Sequence, residues 1–414
     1  MSNRYGCIGE HLKHSFSKEI HNALADYTYD IIEIPREKLE EFATHADFAA
    51  INVTIPYKEL IIPYLYEIDE HAREIGAVNT VVNRNGKLYG YNTDFYGMKS
   101  LLEYANISVN GKKVAILGSG GTAKTAFAVT KALGANEILS VSRNKRSGVI
   151  TYDELYANHD DTQIIINTTP VGMFPDIYSS PVDISKFKNL CGVMDAIYNP
   201  LSSALILKAK EMGIPACGGL YMLVTQAIRA SEIFLNTEYP KTESKRIFEK
   251  IQNEKQNVVL IGMPSSGKST IGKIISEKLG RTFIDTDSLI QEKSGMEIPD
   301  IFSTLGESAF RKMECDVIAE VSKSCNTVIA TGGGVILNKE NVFNLRKNGK
   351  IYFIDRPLAE LIPTDDRPLS QDADALKSLY EKRYNIYINA CDERILNTES
   401  PESVANKIIG EFSK

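Results

Sequence analysis

Gly262, Gly267, Lys268 and Ser269 stand at the spacing G-x-x-x-x-G-K-[ST]. Binding a chain of phosphates needs those residue types in that order. A short loop rich in Gly and Ser turns its backbone N–H groups inward around an anion, and the helix that follows adds the positive end of its dipole. Lys268 is then placed for the outer phosphates of a nucleoside triphosphate such as ATP and the Ser269 hydroxyl for Mg2+, with Thr270 next in the nucleotide-binding set. A second glycine run, Gly118-Ser-Gly120-Gly121-Thr122-Ala123, has the form G-x-G-x-x-A. Such a turn lets a dinucleotide pyrophosphate approach bare backbone at a helix start. The choice of cofactor is written about twenty residues further on, where an NAD site places Asp or Glu to bond the ribose 2′-OH. This chain has Ser142-Arg143-Asn144-Lys145-Arg146 there instead, and three cations where a 2′-phosphate would lie point to NADP.

Other polar residues carry little singly. Ser15 and Ser17 stand two apart, a spacing that points both hydroxyls one way in an extended segment. Lys58 follows a Pro-containing turn, and Asn79 and Asp94 sit at the ends of two predicted strands that form a hairpin. By itself a lysine at a strand end is usually a solvated residue, and Asn or Asp near Gly usually serves a turn.

Each glycine loop requires a strand before it and a helix behind it. The apolar run 258–261 precedes the first loop, and Lys278-Leu-Gly280 closes its helix with glycine. The run 113–117 precedes the second, a helical pattern follows, and 137–142 reads as the next strand. Residues 163–167 form a buried strand whose exit, Asn167-Thr168-Thr169-Pro170, is a turn where a nicotinamide ribose could rest. Gly192-Val-Met-Asp195-Ala-Ile-Tyr198-Asn199-Pro200 is a further strand with its turn, and Gly218-Gly219-Leu-Tyr-Met222-Leu-Val-Thr-Gln226 opens a long helix. The first hundred residues alternate apolar runs with helical patterns and include a hairpin about Asn85-Gly86. Strands alternating with helices predict α/β layers throughout.

Composition bounds the function. A chain of 414 residues exceeds one ordinary core and predicts two or three domains. A net charge of −6 argues against nucleic acid as a partner, because a phosphate backbone needs a basic face. The six cysteines have no metal-ligand spacing, which predicts reduced thiols in a cytoplasmic protein. Neither an export signal nor a membrane span is expected. Oligomeric state is not readable.

Taken in order, His14-Ser15-x-Ser17, Asn52-Val-Thr54-Ile-Pro-Tyr-Lys58, Gly76-Ala-Val-Asn79-Thr80 and Asn92-Thr-Asp94 resemble the shikimate dehydrogenases. The glycine loop and the segments around Thr168, Tyr198 and Gly219 continue the resemblance. It implies an α/β substrate domain plus a Rossmann NADP domain, and reduction of 3-dehydroshikimate to shikimate by NADPH. On that resemblance Ser15 and Ser17 hold the substrate carboxylate, Thr54, Asn79 and Asp94 hold ring hydroxyls, and Lys58 with Asp94 is the catalytic pair. Tyr198 and Gln226 face the substrate, and Gly219 and Met222 lie near the nicotinamide. Lys18 departs from the family, which usually has Pro there.

Thr282-Phe-Ile-Asp285-Thr-Asp287 reads as a strand whose carboxyl end carries two acids. The P-loop with this segment, Gly306-Glu-Ser-Ala-Phe-Arg311, Thr331-Gly332-Gly333-Gly334, Asp366-Arg367-Pro368 and Lys382-Arg383-Tyr384 resembles the shikimate kinases, a nucleoside monophosphate kinase-like α/β group. That resemblance implies phosphorylation of shikimate to shikimate 3-phosphate by ATP. It assigns Asp285 to the Mg2+ shell, Asp287 to the attacking hydroxyl, Arg311 and Arg383 to the substrate carboxylate, and the backbone around Gly333 to the pocket wall. Arg367 becomes a lid residue that reaches the transferring phosphate. Two departures bear on ATP affinity: Ser265 stands where the family often has Gly, and the lid 361–366 is acidic.

The expectation is therefore a fusion of two enzymes. Residues 1–100 with 219–236 form the shikimate-binding domain, 101–218 the Rossmann domain, 237–256 a terminal helix and linker, and 257–414 the kinase. Ile247, Phe248 and Ile251 keep helical spacing, which leaves 253–257 as linker. One alternative joins a quinate-using NAD dehydrogenase to another small-molecule kinase; the cationic turn 142–146 and the paired arginines oppose it. The other is a nucleotide sensor without turnover, which would have lost Lys58, Asp94, Lys268 or Asp287; all four are present.

Overall fold

The structure, a computed structural model, describes residues 4–12, 16–362 and 372–413. The expected site residues Ser15 and Arg367 lie outside the described residues. The chain divides into two compact units, Met1–Gln252 and Asn253–Lys414. No helix among the described residues is long and apolar enough to cross a membrane.

The first unit holds two sheets. One contains β1 (Tyr5–Gly9), β2 (Tyr29–Glu33), β3 (Ala50–Val53), β4 (Glu67–Ile68), β5 (Thr80–Arg84) and β6 (Lys87–Tyr91), in the order β2-β1-β3-β5-β6-β4. It is mixed: β1 runs parallel to β2 and β3, whereas β5 is antiparallel to β3 and β6. Asn85 and Gly86 adopt φ of 55° and 82°, the left-handed pair that a tight hairpin requires.

The second sheet contains β7 (Lys113–Leu117), β8 (Glu137–Val141), β9 (Val149–Ile150), β10 (Ile164–Asn167), β11 (Gly192–Asp195) and β12 (Ala216–Cys217). It is parallel throughout, in the order β12-β11-β10-β7-β8-β9. Parallel strands covered on both faces must be apolar along their length, and β10, Ile-Ile-Ile-Asn, is buried at every residue. The helix Leu220–Leu235 returns to the first sheet, where Val224, Ala227 and Ile228 pack with Phe16, Ile20, Leu24, Ile247 and Ile251.

The second unit has one parallel sheet of β13 (Asn257–Ile261), β14 (Thr282–Asp285), β15 (Thr327–Ala330), β16 (Gly349–Asp355) and β17 (Glu393–Leu396). Their order is β14-β15-β13-β16-β17. β13 is central, and Val258, Val259, Leu260 and Ile261 are each at most 1% exposed. Burial of such side chains contributes about 1.5–3 kcal/mol apiece, which anchors the glycine loop that leaves the strand.

Four expectations about local structure are corrected. Ser17 does not lie in an extended segment; it opens the helix Ser17–Leu24, because Phe16, Ile20 and Leu24 make one apolar stripe into the core. Asp94 is not at a strand end but in the first turn of the helix Thr93–Tyr104, whose cap is Asn92. Asp287 likewise lies in the helix Thr286–Ser294, because the Asp285 side chain accepts from the N–H groups of Asp287 and Ser288 and ends the strand. Finally, the helix Glu243–Lys255 continues through most of the expected linker. Arg281 donates to the carbonyls of Asn253 and Gln256, both at 2.6 Å, and satisfies acceptors that a helix end leaves open.

The helix Ser17–Leu24 is held by a buried polar contact. His21 stacks on Tyr29 with ring centres 3.9 Å apart, its Nδ1 lies 2.5 Å from the Tyr27 hydroxyl, and Tyr27 donates to Ser231 at 3.1 Å. Burial lowers the His21 pKa to about 3. An imidazole that protonates near 6.5 when unfolded and near 3 when folded stabilises the fold above pH 6.5, and that contribution is lost as pH falls through this window. The first unit is accordingly expected to lose up to about 1.4 kcal/mol per pH unit below 6.5 from this residue. Denaturant melts at pH 7, 6 and 5 should show a shallower pH dependence for His21→Gln; equal slopes would contradict it.

Candidate active sites

Lys58 sits in the short helix Tyr57–Leu60 immediately beyond β3, and its Nζ donates to Asp94 Oδ2 at 2.6 Å. The side chains are only 14% and 9% exposed, so the pair is shielded from bulk water. Around it the polar residues form one network. Asn79 accepts at Oδ1 from the Thr93 N–H at 2.7 Å, and its amide donates to Thr93 Oγ1 at 3.0 Å. Thr93 Oγ1 lies 3.3 Å from Gln226 Oε1, which brings the helix Leu220–Leu235 into the same pocket. Behind these, Asn52 donates to Thr80 Oγ1 at 3.2 Å and accepts from the Tyr29 hydroxyl at 2.7 Å. Thr54 is half-buried beside Gly9, and Ser17 is buried at its helix start. Tyr198 packs its ring against Phe16, the neighbour of Ser17, at 5.1 Å. The structure thus gathers Lys58, Asn79, Asp94 and Gln226 and sets Tyr198 against the Ser17 turn. Thr93, Asn52 and Tyr29 were missed as site residues, although Thr93 and Asn52 stand within the motifs that signalled the site.

The glycine loop meets this pocket directly. A Cβ on Gly121 would lie 3.5 Å from Lys58 Cδ, and Lys124 one turn on pairs with Glu59 at 2.8 Å. Gly118 has φ of 120°, and a Cβ there would stand 2.5 Å from Thr168 Oγ1. Gly120 opens the helix Gly121–Ala132 with no neighbour within 4 Å of a Cβ, leaving bare N–H groups at Gly120, Thr122 and Ala123 for a pyrophosphate. In the turn after β8, Ser142 donates to the Asn144 carbonyl at 2.6 Å, and Arg143, Asn144 and Arg146 are exposed. Lys145 is paired with Glu154, so two of the three cations remain for a 2′-phosphate. Met222 is buried one turn before Gln226, and Gly219 donates to the Ile197 carbonyl at 2.8 Å. These residues fit NADP.

In the second unit Gly262 and Gly267 take φ of 156° and 88°. Lys268 at the helix start donates to the carbonyls of Gly262 and Met263 at 3.0 and 2.8 Å, and Asn397 donates to the Ser266 carbonyl at 2.7 Å, bracing the loop from β17. Ser269 donates to Asp285 Oδ2 at 2.5 Å, whereas Thr270 is exposed on the helix Lys268–Leu279. Among the described residues no three His, Cys, Asp or Glu could hold a metal. One hydroxyl and one carboxylate suit Mg2+, which takes few protein ligands and completes its shell with phosphate oxygens and water.

Beside this loop Gly332, Gly333 and Gly334 lie so close to other residues that an added side chain would make those neighbours shift. Added Cβ atoms would stand 2.4 Å from Asp287 Oδ1, 3.0 Å from Pro264 and 2.1 Å from Arg311 Nη1. Arg383 donates to the Gly333 carbonyl at 2.9 Å. Glu314, missed in the sequence, is 1% exposed and accepts from Arg311 at 3.1 Å. Burial raises its carboxyl pKa and Arg311 pulls it down; burial lowers that of the Arg383 guanidinium. Glu314 stands three residues after Arg311, a helical spacing that could have found it.

Ser265 takes a left-handed conformation that favours glycine, with φ of 61°, and its hydroxyl donates to the Ile362 carbonyl at 2.7 Å. A left-handed non-glycine residue costs roughly 1–2 kcal/mol and a hydrogen bond returns about 1. Ser265→Gly should therefore leave stability within about 1 kcal/mol of the parent, while Ser265→Ala, strained and without the bond, falls about 1–2 kcal/mol below the glycine variant. Chemical denaturation of the two variants decides it, and an alanine variant as stable as the glycine one would contradict it.

Both parts of the chain are similar to known proteins. A family model described as shikimate dehydrogenase substrate binding domain matches residues 7–81, and one described as shikimate kinase matches residues 264–413. A shikimate dehydrogenase (NADP(+)) of Clostridium beijerinckii is 36% identical over 267 residues, covering 60% of this chain and 98% of that protein. One of Methanococcus maripaludis is 39% identical over 254 residues, 55% of this chain and 90% of that protein. Among solved structures, shikimate dehydrogenase 1 of Peptoclostridium difficile is 37% identical with a TM-score of 0.57 over 60% of this chain and 97% of that one. A chorismate mutase/shikimate 5-dehydrogenase fusion protein of Clostridium acetobutylicum is 35% identical with a TM-score of 0.57 over 61% and 98%. The chain belongs to the shikimate dehydrogenase family over its first part and continues into a shikimate kinase domain, so that one polypeptide joins two enzymes of the shikimate pathway.

Proposed function

We propose that the first unit reduces 3-dehydroshikimate to shikimate and that the second phosphorylates shikimate to shikimate 3-phosphate. The observation that carries the first reading is the shielded Lys58–Asp94 pair, 2.6 Å apart beside Asn79 and Gln226. NADPH supplies the hydride when bound. Reduction of a ketone leaves an alkoxide that needs a proton, and the Lys58 ammonium gives it from Nζ. Asp94 holds that ammonium in place and accepts a ring hydroxyl. Thr54 and Asn79 bind further hydroxyls, Ser15 and Ser17 the carboxylate, and Tyr198 and Gln226 close the ring's other side. Thr93 fixes Asn79 and Gln226 against each other through the bonds described above. Arg143, Asn144 and Arg146 with Ser142 favour the 2′-phosphate, while Thr168, Gly219 and Met222 border the nicotinamide.

In the second unit phosphoryl transfer asks for alignment and charge neutralisation. Mg2+, held by Ser269 and Asp285, neutralises charge on the phosphates when bound. Lys268 binds the outer phosphates of ATP, Asp287 orients the attacking hydroxyl, and Arg311 and Arg383 grip the carboxylate, each able to make two bonds to it. The Gly333 backbone lines the pocket. Arg367 reaches the transferring phosphate.

Purified chain given 3-dehydroshikimate, NADPH, ATP and Mg2+ should consume both nucleotides and release shikimate 3-phosphate. Oxidation of NADPH without a phosphorylated product would sink the second assignment, and no oxidation the first. Lys58→Ala should bind shikimate within a few-fold of the parent and lose about 10²–10⁴-fold in dehydrogenase turnover, the usual worth of a positioned acid–base group. Near-normal turnover in that variant would remove Lys58 from the mechanism.

A further inference from the structure

Asp195 ends β11 with its carboxylate wholly buried among donors. Asn167 Nδ2 reaches Oδ1 at 2.9 Å, the Ile197 N–H reaches the same oxygen at 3.0 Å, and the Ser203 hydroxyl reaches Oδ2 at 2.5 Å. Ser203 Oγ also accepts from the Ile206 N–H at 3.4 Å, which leaves its proton directed to Asp195. Burial raises this carboxyl to about 6 against the pull of all three donors. A buried ionisable group is costly where an apolar one would pack, so its partners are the place to look for its use.

Two of those three partners belong to turns at the carboxyl edge of a parallel sheet, where ligands of such sheets bind, and the third, Ser203, caps the helix Ala204–Glu211. The first follows β10. Asn167 accepts at Oδ1 from the N–H and hydroxyl of Thr169 at 3.0 and 2.7 Å, and Thr168 between them donates to the Leu117 carbonyl at 2.6 Å, against Gly118. The second follows β11. The Ala196 N–H donates to the Asn167 carbonyl at 2.9 Å, the Ile197 carbonyl accepts from Gly219 at 2.8 Å, and a Cβ on Gly219 would stand 2.2 Å from the Ala196 carbonyl oxygen. Tyr198 follows directly. One carboxylate therefore joins the turn that bears Thr168 to the turn that bears Tyr198 and seats Gly219.

We propose that Asp195 is a positioning residue of the dehydrogenase, acting through Asn167 and Ile197 to hold Thr168, Tyr198 and Gly219 at the nicotinamide end of the cofactor. It touches neither cofactor nor substrate, and it rests on the dehydrogenase reading above. Asp195→Ala removes the acceptor that Asn167 and Ile197 share and leaves both turns without it, whereas Asp195→Asn would keep an Oδ1 for them and turn its N–H2 to Ser203 Oγ, a hydroxyl that can accept. The turn that faces the 2′-phosphate, Ser142 to Arg146, lies on the other side of β7 and is not part of this linkage.

The test compares two ligands on the full chain by calorimetry: NADP+, and adenosine 2′,5′-bisphosphate, which lacks the nicotinamide half. For Asp195→Ala the expected result is at least ten-fold weaker binding of NADP+ and at least ten-fold lower dehydrogenase turnover. Affinity for the bisphosphate should stay within two-fold, and so should kinase turnover on added shikimate. Ser203→Ala, which removes one donor and spares the carboxylate, should move NADP+ affinity and turnover two- to five-fold in the same direction. Equal loss of both ligands, or NADP+ affinity and turnover within two-fold of the parent in both variants, would overturn the proposal. Absence of turnover in the parent chain would overturn the dehydrogenase reading, and this proposal with it.

Discussion

A single short ion pair organises the first unit. Lys58 and Asp94 lie 2.6 Å apart with little access to solvent, and two unlike charges so placed need polar neighbours. The surrounding elements supply them. The strand exit from β3 brings Lys58, the capped start of the helix Thr93–Tyr104 brings Asp94, the segment before β5 brings Asn79, and the returning helix Leu220–Leu235 brings Gln226. Thr93 bonds to both of the last two and makes them one assembly. The glycine loop of the second sheet then comes against the Lys58 stem at Gly121, where an added Cβ would lie in van der Waals contact with it. The proposed cofactor loop and the proposed proton donor are neighbours for that reason.

The second unit solves a different problem with a similar sheet. The phosphate site proposed there depends on backbone: Gly262 and Gly267 in left-handed conformations, and three consecutive glycines that let Asp287, Pro264 and Arg311 approach the main chain. Ser265 shows how a residue without that freedom is accommodated. It pays for its conformation with a hydrogen bond to the Ile362 carbonyl.

Much of this was legible in the sequence because the chemistry is local there. The P-loop, the G-x-G-x-x-A turn, the cationic turn after β8 and the Asn85-Gly86 hairpin are each set by a few consecutive residues. The misses have a common physical cause. Glu314 and Asn397 act through partners that only the sheet brings near, at Arg311 and at the Ser266 carbonyl. Asp195 reads as the last residue of a strand until its three donors are seen. Asp287 and Asp94 were placed on strands because apolar runs precede them, whereas side-chain caps at Asp285 and Asn92 start helices one or two residues earlier. The expected linker was a helix end, since the carbonyls that would have frayed it are bound by Arg281.

In the proposed mechanism the Lys58 ammonium and the Asp94 carboxylate meet one hydroxyl of the small acid bound by the first unit. The most direct measurement is a crystal structure of the chain with shikimate and NADP+ both bound. The account predicts shikimate between β3 and the helix Leu220–Leu235, with Lys58 Nζ and Asp94 within hydrogen-bond distance of the same hydroxyl. Shikimate bound elsewhere, or Lys58 turned to bulk water with both ligands in place, would contradict it.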